Sequence, residues 1–152
     1  MEFDSSRLRR GEAVAGAGAV TLLVLMLVLQ WYGPRADGAR PVAAATGWEA
    51  YTVWRWFALA AVIAVVALVY AQGTRRAPAL PVSFSVICLA LSIIVVVWLG
   101  FRVLLDHPPH QQVGAFVSLL AAVALLVGSY LSTRQEGIAE RDAPAEIPLV
   151  RL

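Results

Sequence analysis

Of the 152 residues, 60% are hydrophobic and 14% charged, and the mean hydropathy is +0.74. Soluble domains carry about 45–50% apolar and about 25% charged residues, so an ordinary globular enzyme is excluded, and so is disorder. What remains is an integral membrane protein. The formal charge of +2 is too small and too scattered for a nucleic-acid surface, which requires basic residues clustered on one face.

The residue inventory adds little chemistry. All twelve basic residues are arginine, with no Lys and no Asn; the codons of those two are AT-rich, so a GC-rich bacterial genome is the simplest account. Cys88 is the single cysteine and forms no intrachain disulfide.

A spanning helix needs about 20 mostly apolar residues, because the hydrocarbon layer is about 30 Å thick and each residue rises about 1.5 Å. Four gaps between charges meet that length: 22 residues between Glu12 and Arg35, 19 between Arg55 and Arg75, 25 between Arg76 and Arg102, and 27 between Asp106 and Arg134. Backbone in lipid must satisfy its own hydrogen bonds, which a helix does within one segment. The expected fold is all-α, a polytopic membrane protein of four antiparallel transmembrane helices.

In chain order, residues 1–12 form an N-terminal segment carrying Arg7, Arg9, Arg10 and Glu12, and the first span covers 13–32. The basic start resembles a signal peptide, but Val14–Leu29 is long for the apolar region of one, and Ala43-Ala44-Ala45 lies too far beyond it for a cleavage site. The span therefore reads as a retained anchor. An outer loop over 33–52 follows Gly33-Pro34; its Ala-, Gly- and Pro-rich stretch to Glu49 is expected to have little structure of its own. The second span covers 53–72, with Tyr51–Trp54 able to extend it outward. The third covers 82–105, after Pro78 and Pro81. Asp106-His107-Pro108-Pro109 ends it, since proline cannot donate and disfavours helix in the preceding residue. The fourth covers 113–131, and residues 135–152, with Pro144 and Pro148, read as a mobile tail.

Arginine placement orients the spans. Arg7, Arg9, Arg10, Arg75, Arg76 and Arg134 fall on one side, and Arg35, Arg40, Arg55 and Arg102 on the other, a bias that puts both termini in the cytoplasm of a bacterial inner membrane. Trp31, Tyr32, Trp48, Trp54, Trp56 and Trp98, with Phe101 and Phe116, gather at the outer interface, where amphipathic rings anchor. Tyr70, Phe84 and Tyr130 mark the inner edge.

Trp31-Tyr32-Gly33-Pro34-Arg35 and Trp98-Leu99-Gly100-Phe101-Arg102 share the pattern W-x-G-x-R. Either two helical hairpins repeat as parallel copies, or Trp, Gly and Arg are simply common wherever a helix leaves a bilayer.

Four charges near the outer side form the candidate polar cluster: Arg55, Arg102, Glu49 and Asp106. An ionisable residue at a span is a functional-site hypothesis, and Asp106, four residues after Arg102, shares a helical face with it. The competing reading is that both arginines snorkel to the interface. Asp106-His107-Pro108-Pro109-His110 offers a carboxylate and two imidazoles, but a zinc site needs three or four converging ligands. Glu12 invites comparison with small multidrug exporters, which use a membrane-embedded glutamate in helix one. Here it follows Arg9-Arg10-Gly11, at the boundary, where a carboxylate complements a helix N-terminus. Small residues such as Gly16, Gly18, Ala60, Ala64 and Gly128 suit close helix packing.

The sequence has no C-x-x-C, H-E-x-x-H, G-x-x-x-x-G-K-[ST] or G-x-S-x-G, so no enzyme, cofactor or metal is expected. The expected partners are the lipid bilayer and either a second copy or another membrane protein.

Arg10-Gly11-Glu12 before the first span, Trp31-Tyr32-Gly33-Pro34 after it and Gly47-Trp48-Glu49-Ala50 before the second resemble a group of uncharacterised small four-helix membrane proteins of high-GC Gram-positive bacteria. The resemblance covers Arg10 to about Arg134; it implies the four-helix fold and imports no activity.

Overall fold

The computed structural model describes residues 10–37, 40–74, 82–106 and 110–139. The chain is mostly helical, and four helices are long and apolar enough to cross a membrane. They are α1 (Arg10–Val28), α3 (Trp54–Thr74), α4 (Val82–Gly100) and α5 (Val113–Ala139). Between α1 and α3 come four short strands, β1 (Gln30–Tyr32), β2 (Arg35–Asp37), β3 (Arg40–Val42) and β4 (Ala45–Thr46), and a single helical turn, α2 (Gly47–Ala50).

Each long helix is apolar around its whole circumference, the pattern of a helix with lipid on one side and protein on the other. On α1 the inward stripe is Gly11, Glu12, Ala15, Gly18, Ala19, Leu22 and Met26, at helical spacing, while Val20, Val24 and Leu27 on the other faces are exposed. The small residues of that stripe let α1 and α5 approach backbone to backbone. A Cβ on Gly18 would lie 2.6 Å from Leu125 N, and one on Gly11 would lie 2.6 Å from Ser132 N. From the α5 side, a Cβ on Gly128 would run into the backbone of Ala15. Lipid supplies no hydrophobic force between helices, so close backbone approach is what dispersion needs to hold them.

The interior divides along its length. Towards the β strands it is large and apolar, with Leu22, Met26, Trp31, Trp54, Val95 and Leu99 buried together. Towards the other end it is built from Ala15, Ala19, Val65, Leu68, Cys88 and Leu125, with Ser85, Ser92, Ser129, Ser132 and Glu12 also buried.

Several boundaries differ from the sequence reading. The first span is helical only to Val28, because Gln30–Tyr32 leaves the helix to pair with other loops. The Trp31 carbonyl accepts from Gln112 N at 2.8 Å, and Gly33 N donates to the His110 carbonyl at 2.8 Å. Strand β1 pairs antiparallel with β4, Gln30 opposite Thr46 and Tyr32 opposite Ala45, and β2 pairs antiparallel with β3. The described residues of the loop, 33–37 and 40–52, are thus structured rather than irregular. Tyr51–Val53 turns instead of extending α3, and α5 runs past the expected 131 to Ala139.

The two W-x-G-x-R segments take different backbones. Trp31 lies on a strand, whereas Trp98 and Gly100 lie within α4. Helix α4 then widens into a π-helical turn, Phe101–Leu105, closed by Asp106 N donating to the Phe101 carbonyl at 3.0 Å.

Candidate functional site

The first of two candidate loci is an aromatic and arginine cap where the strands meet the ends of the long helices. Its foundation is Trp31, 1% exposed, whose indole N–H donates to the Leu25 carbonyl at 3.3 Å. The ring lies flat against the start of α2. A Cβ on Gly47 would come within 2.5 Å of it, so this position requires glycine. The segments around Trp31 and Gly47 therefore meet in space.

Helix α2 has only four residues and depends on its cap. Thr46 Oγ1 accepts from Glu49 N at 3.4 Å, and Glu49 Oε2 accepts from Thr46 N at 3.0 Å, a reciprocal capping box. That box delivers Tyr51 to the centre of the cap. The Tyr51 ring meets Trp98 edge-on at 4.6 Å and Trp31 and Tyr32 at 6.1 Å each, and its hydroxyl is hydrogen-bonded to that of Tyr32. Behind it, Trp54 stacks on Trp98 at 4.2 Å between centroids. Such offset and edge-on geometries are those the ring quadrupoles favour. Burial raises the Tyr32 phenol above its ordinary range; the Tyr51 hydrogen bond and charge interaction add to this, and the Arg102 charge opposes it.

The four predicted charges lie at this end but do not converge. Arg102 pairs with Asp106 four residues on, and its guanidinium also lies 5.5 Å from the Tyr51 ring centroid. Arg55 sits 5.4 Å from the ring centroids of both Trp48 and Trp56. Glu49 is occupied by Thr46. Both arginines retain a buried Nε without a hydrogen-bond partner. Of the six predicted interface anchors, Trp56 is exposed, Tyr32, Trp48 and Trp98 are half-buried, and Trp31 and Trp54 are buried. Those last two pack in the core, because the cap closes over them.

Sequence reasoning missed Tyr51 as the hub. The signal was present: Thr46-x-x-Glu49 is a capping box, and it fixes where the following aromatic emerges. Of the Asp106–His110 tip, His107, Pro108 and Pro109 lie outside the described residues. His110 is exposed and takes a left-handed backbone, φ 65°, the conformation that carries its carbonyl to Gly33 N. Among the described residues no group of three or more His, Cys, Asp or Glu gathers.

Beside the cap, the α2–α3 turn and α4 enclose a cleft of about 470 Å³, walled by residues 50–54 with Phe57, Ile94 and Trp98.

The second locus is the serine-rich far end of the interior. The Ser92 hydroxyl donates to the Cys88 carbonyl at 2.5 Å and lies 3.1 Å from Ser129 Oγ, linking α4 to α5. The hydroxyl of Ser132 is buried without a partner. Glu12 stands in the first turn of α1, where a carboxylate complements a helix N-terminus, and is 1% exposed. The cause is the approach of α5, whose Gly128–Ser132 turn lies against Gly11.

No family model matches the chain, and neither a curated protein nor a solved structure matches it.

Proposed function

We propose that the protein is a non-enzymatic accessory or scaffold subunit of a bacterial inner membrane, packing with another membrane protein or with a second copy of itself. The observation that carries this reading is the stitching of its cap. The loop between the first two long helices is hydrogen-bonded onto the loop between the last two, through Gly33–His110, Trp31–Gln112 and the Tyr32–Gln111 bridge. Aromatic stacking then fixes the surface so formed. A rigid face of tryptophan, tyrosine and arginine is the composition enriched at protein contacts.

In this reading the four spans alternate in direction, with the cap outside and both termini in the cytoplasm. The alternation is supported by the order of contacts along α1 and α5, where Gly11 meets Ser132, Gly18 meets Leu125 and Gly114 meets Gln30. The outward cap follows from the arginine bias. The four-helix group of high-GC Gram-positive bacteria is the proposed kinship.

The alternative is a small homo-oligomeric transporter or channel, entered through Arg55, Arg102, Glu49 and Asp106. The burial of Glu12 favours it, since an ionisable side chain inside a span is a functional hypothesis by default. Against it, the four entrance charges fall into three separate local contacts, Arg102 with Asp106, Arg55 over Trp48 and Trp56, and Glu49 with Thr46.

Purification of the tagged protein from its native membrane in mild detergent separates the two. A stoichiometric membrane partner supports the scaffold. A homo-oligomer that passes solute in liposomes, with flux abolished by Arg102→Leu, overturns it.

A further inference from the structure

We draw no further inference here: the strongest candidate, the cleft of about 540 Å³ between the end of α1 and the start of α5, lined by Gln30, Gln111 and Gln112, carries nothing, because the partnerless polar atoms of the Gln111 carboxamide are buried out of a ligand's reach and what remains is a helix N-terminus with nothing to show what it would hold.

Discussion

Replacing Gly128 by alanine asks whether α1 and α5 touch backbone to backbone. The added Cβ would lie 2.6 Å from Ala15 Cα and 2.8 Å from the Gly11 carbonyl oxygen, where carbon pairs are at their optimum near about 3.5–4.0 Å. Neither neighbour is a flexible side chain, so the helices must separate by roughly 1 Å, which forfeits about a quarter to a half of each dispersion contact across the interface. Overpacking of this kind costs about 1–3 kcal/mol. Alanine also returns about 1 kcal/mol of helix propensity, which would blur a single measurement. Gly100→Ala removes the ambiguity: it lies at the end of α4 with a right-handed helical backbone, and a Cβ there meets nothing within 4 Å. The difference between the two alanine variants isolates the packing cost. In reversible unfolding from mild into denaturing detergent, followed by circular dichroism, Gly100→Ala should match or exceed wild type. Gly128→Ala should fall below Gly100→Ala by about 1–3 kcal/mol. Equal shifts in the two variants would refute direct backbone contact.

Three further perturbations probe the cap and the far interior. Thr46→Ala removes the capping box of α2 and should cost about 0.5–2 kcal/mol, while also freeing Tyr51; an unchanged near-UV circular dichroism spectrum would contradict its role as hub. Ser92→Ala breaks the α4–α5 hydroxyl link and should cost about 0.6 kcal/mol, at most about 1.7; a loss of several kcal/mol would mean that the serines do more than pack. The Tyr32 phenol is raised by burial and by Tyr51, above an unfolded value of about 10. The stability it contributes is therefore complete below that pH and is lost as pH climbs through the folded value. Alkaline titration by near-UV absorbance should show Tyr32 ionising late in wild type and earlier in Tyr51→Phe; no late-ionising tyrosine would refute the buried pair.

What could be read from the sequence was whatever depends on length and local chemistry. Twenty apolar residues between charges must become a helix in lipid, so the four spans were fixed by counting. Arg102 and Asp106 share a face because they are four residues apart on a helix, and the structure pairs them. The rest depended on contacts between distant segments. Nothing near Trp31 says that a glycine sixteen positions later lets its ring lie down, and the Ala- and Gly-rich composition of that loop argued for disorder. For Glu12 the place in the first turn was legible and the burial was not. Neighbouring arginines place a residue at a boundary, but its exposure is decided by the helix beside it, and α5 comes close only because Gly11 and Gly128 have no side chains.

The distribution of polarity says where this bundle is finished and where it is open. Over the apolar part of α5, residues 113–134, more of the residues are buried, with Ser118, Ser129 and Ser132 turned inward, than over the more apolar stretch 84–105 of α4 and its π turn. A water-soluble bundle has the opposite gradient, because water drives the most apolar side chains inward. In lipid that drive is absent, so the inside is selected for shape and hydrogen bonding, and the most apolar surface is left facing out. The glycine-lined α1–α5 contact is the committed one, with no room for a ligand or partner between its backbones. The side formed by α3 and α4 has long aliphatic and aromatic groups turned outward, a cleft rather than a seam at the capped end, and unsatisfied guanidinium nitrogens there. Any lipid or helix that this protein holds should therefore bind on that side, and cross-links from α3 or α4 should capture it where cross-links from the Gly11–Gly18 stripe capture only the other helices of the bundle.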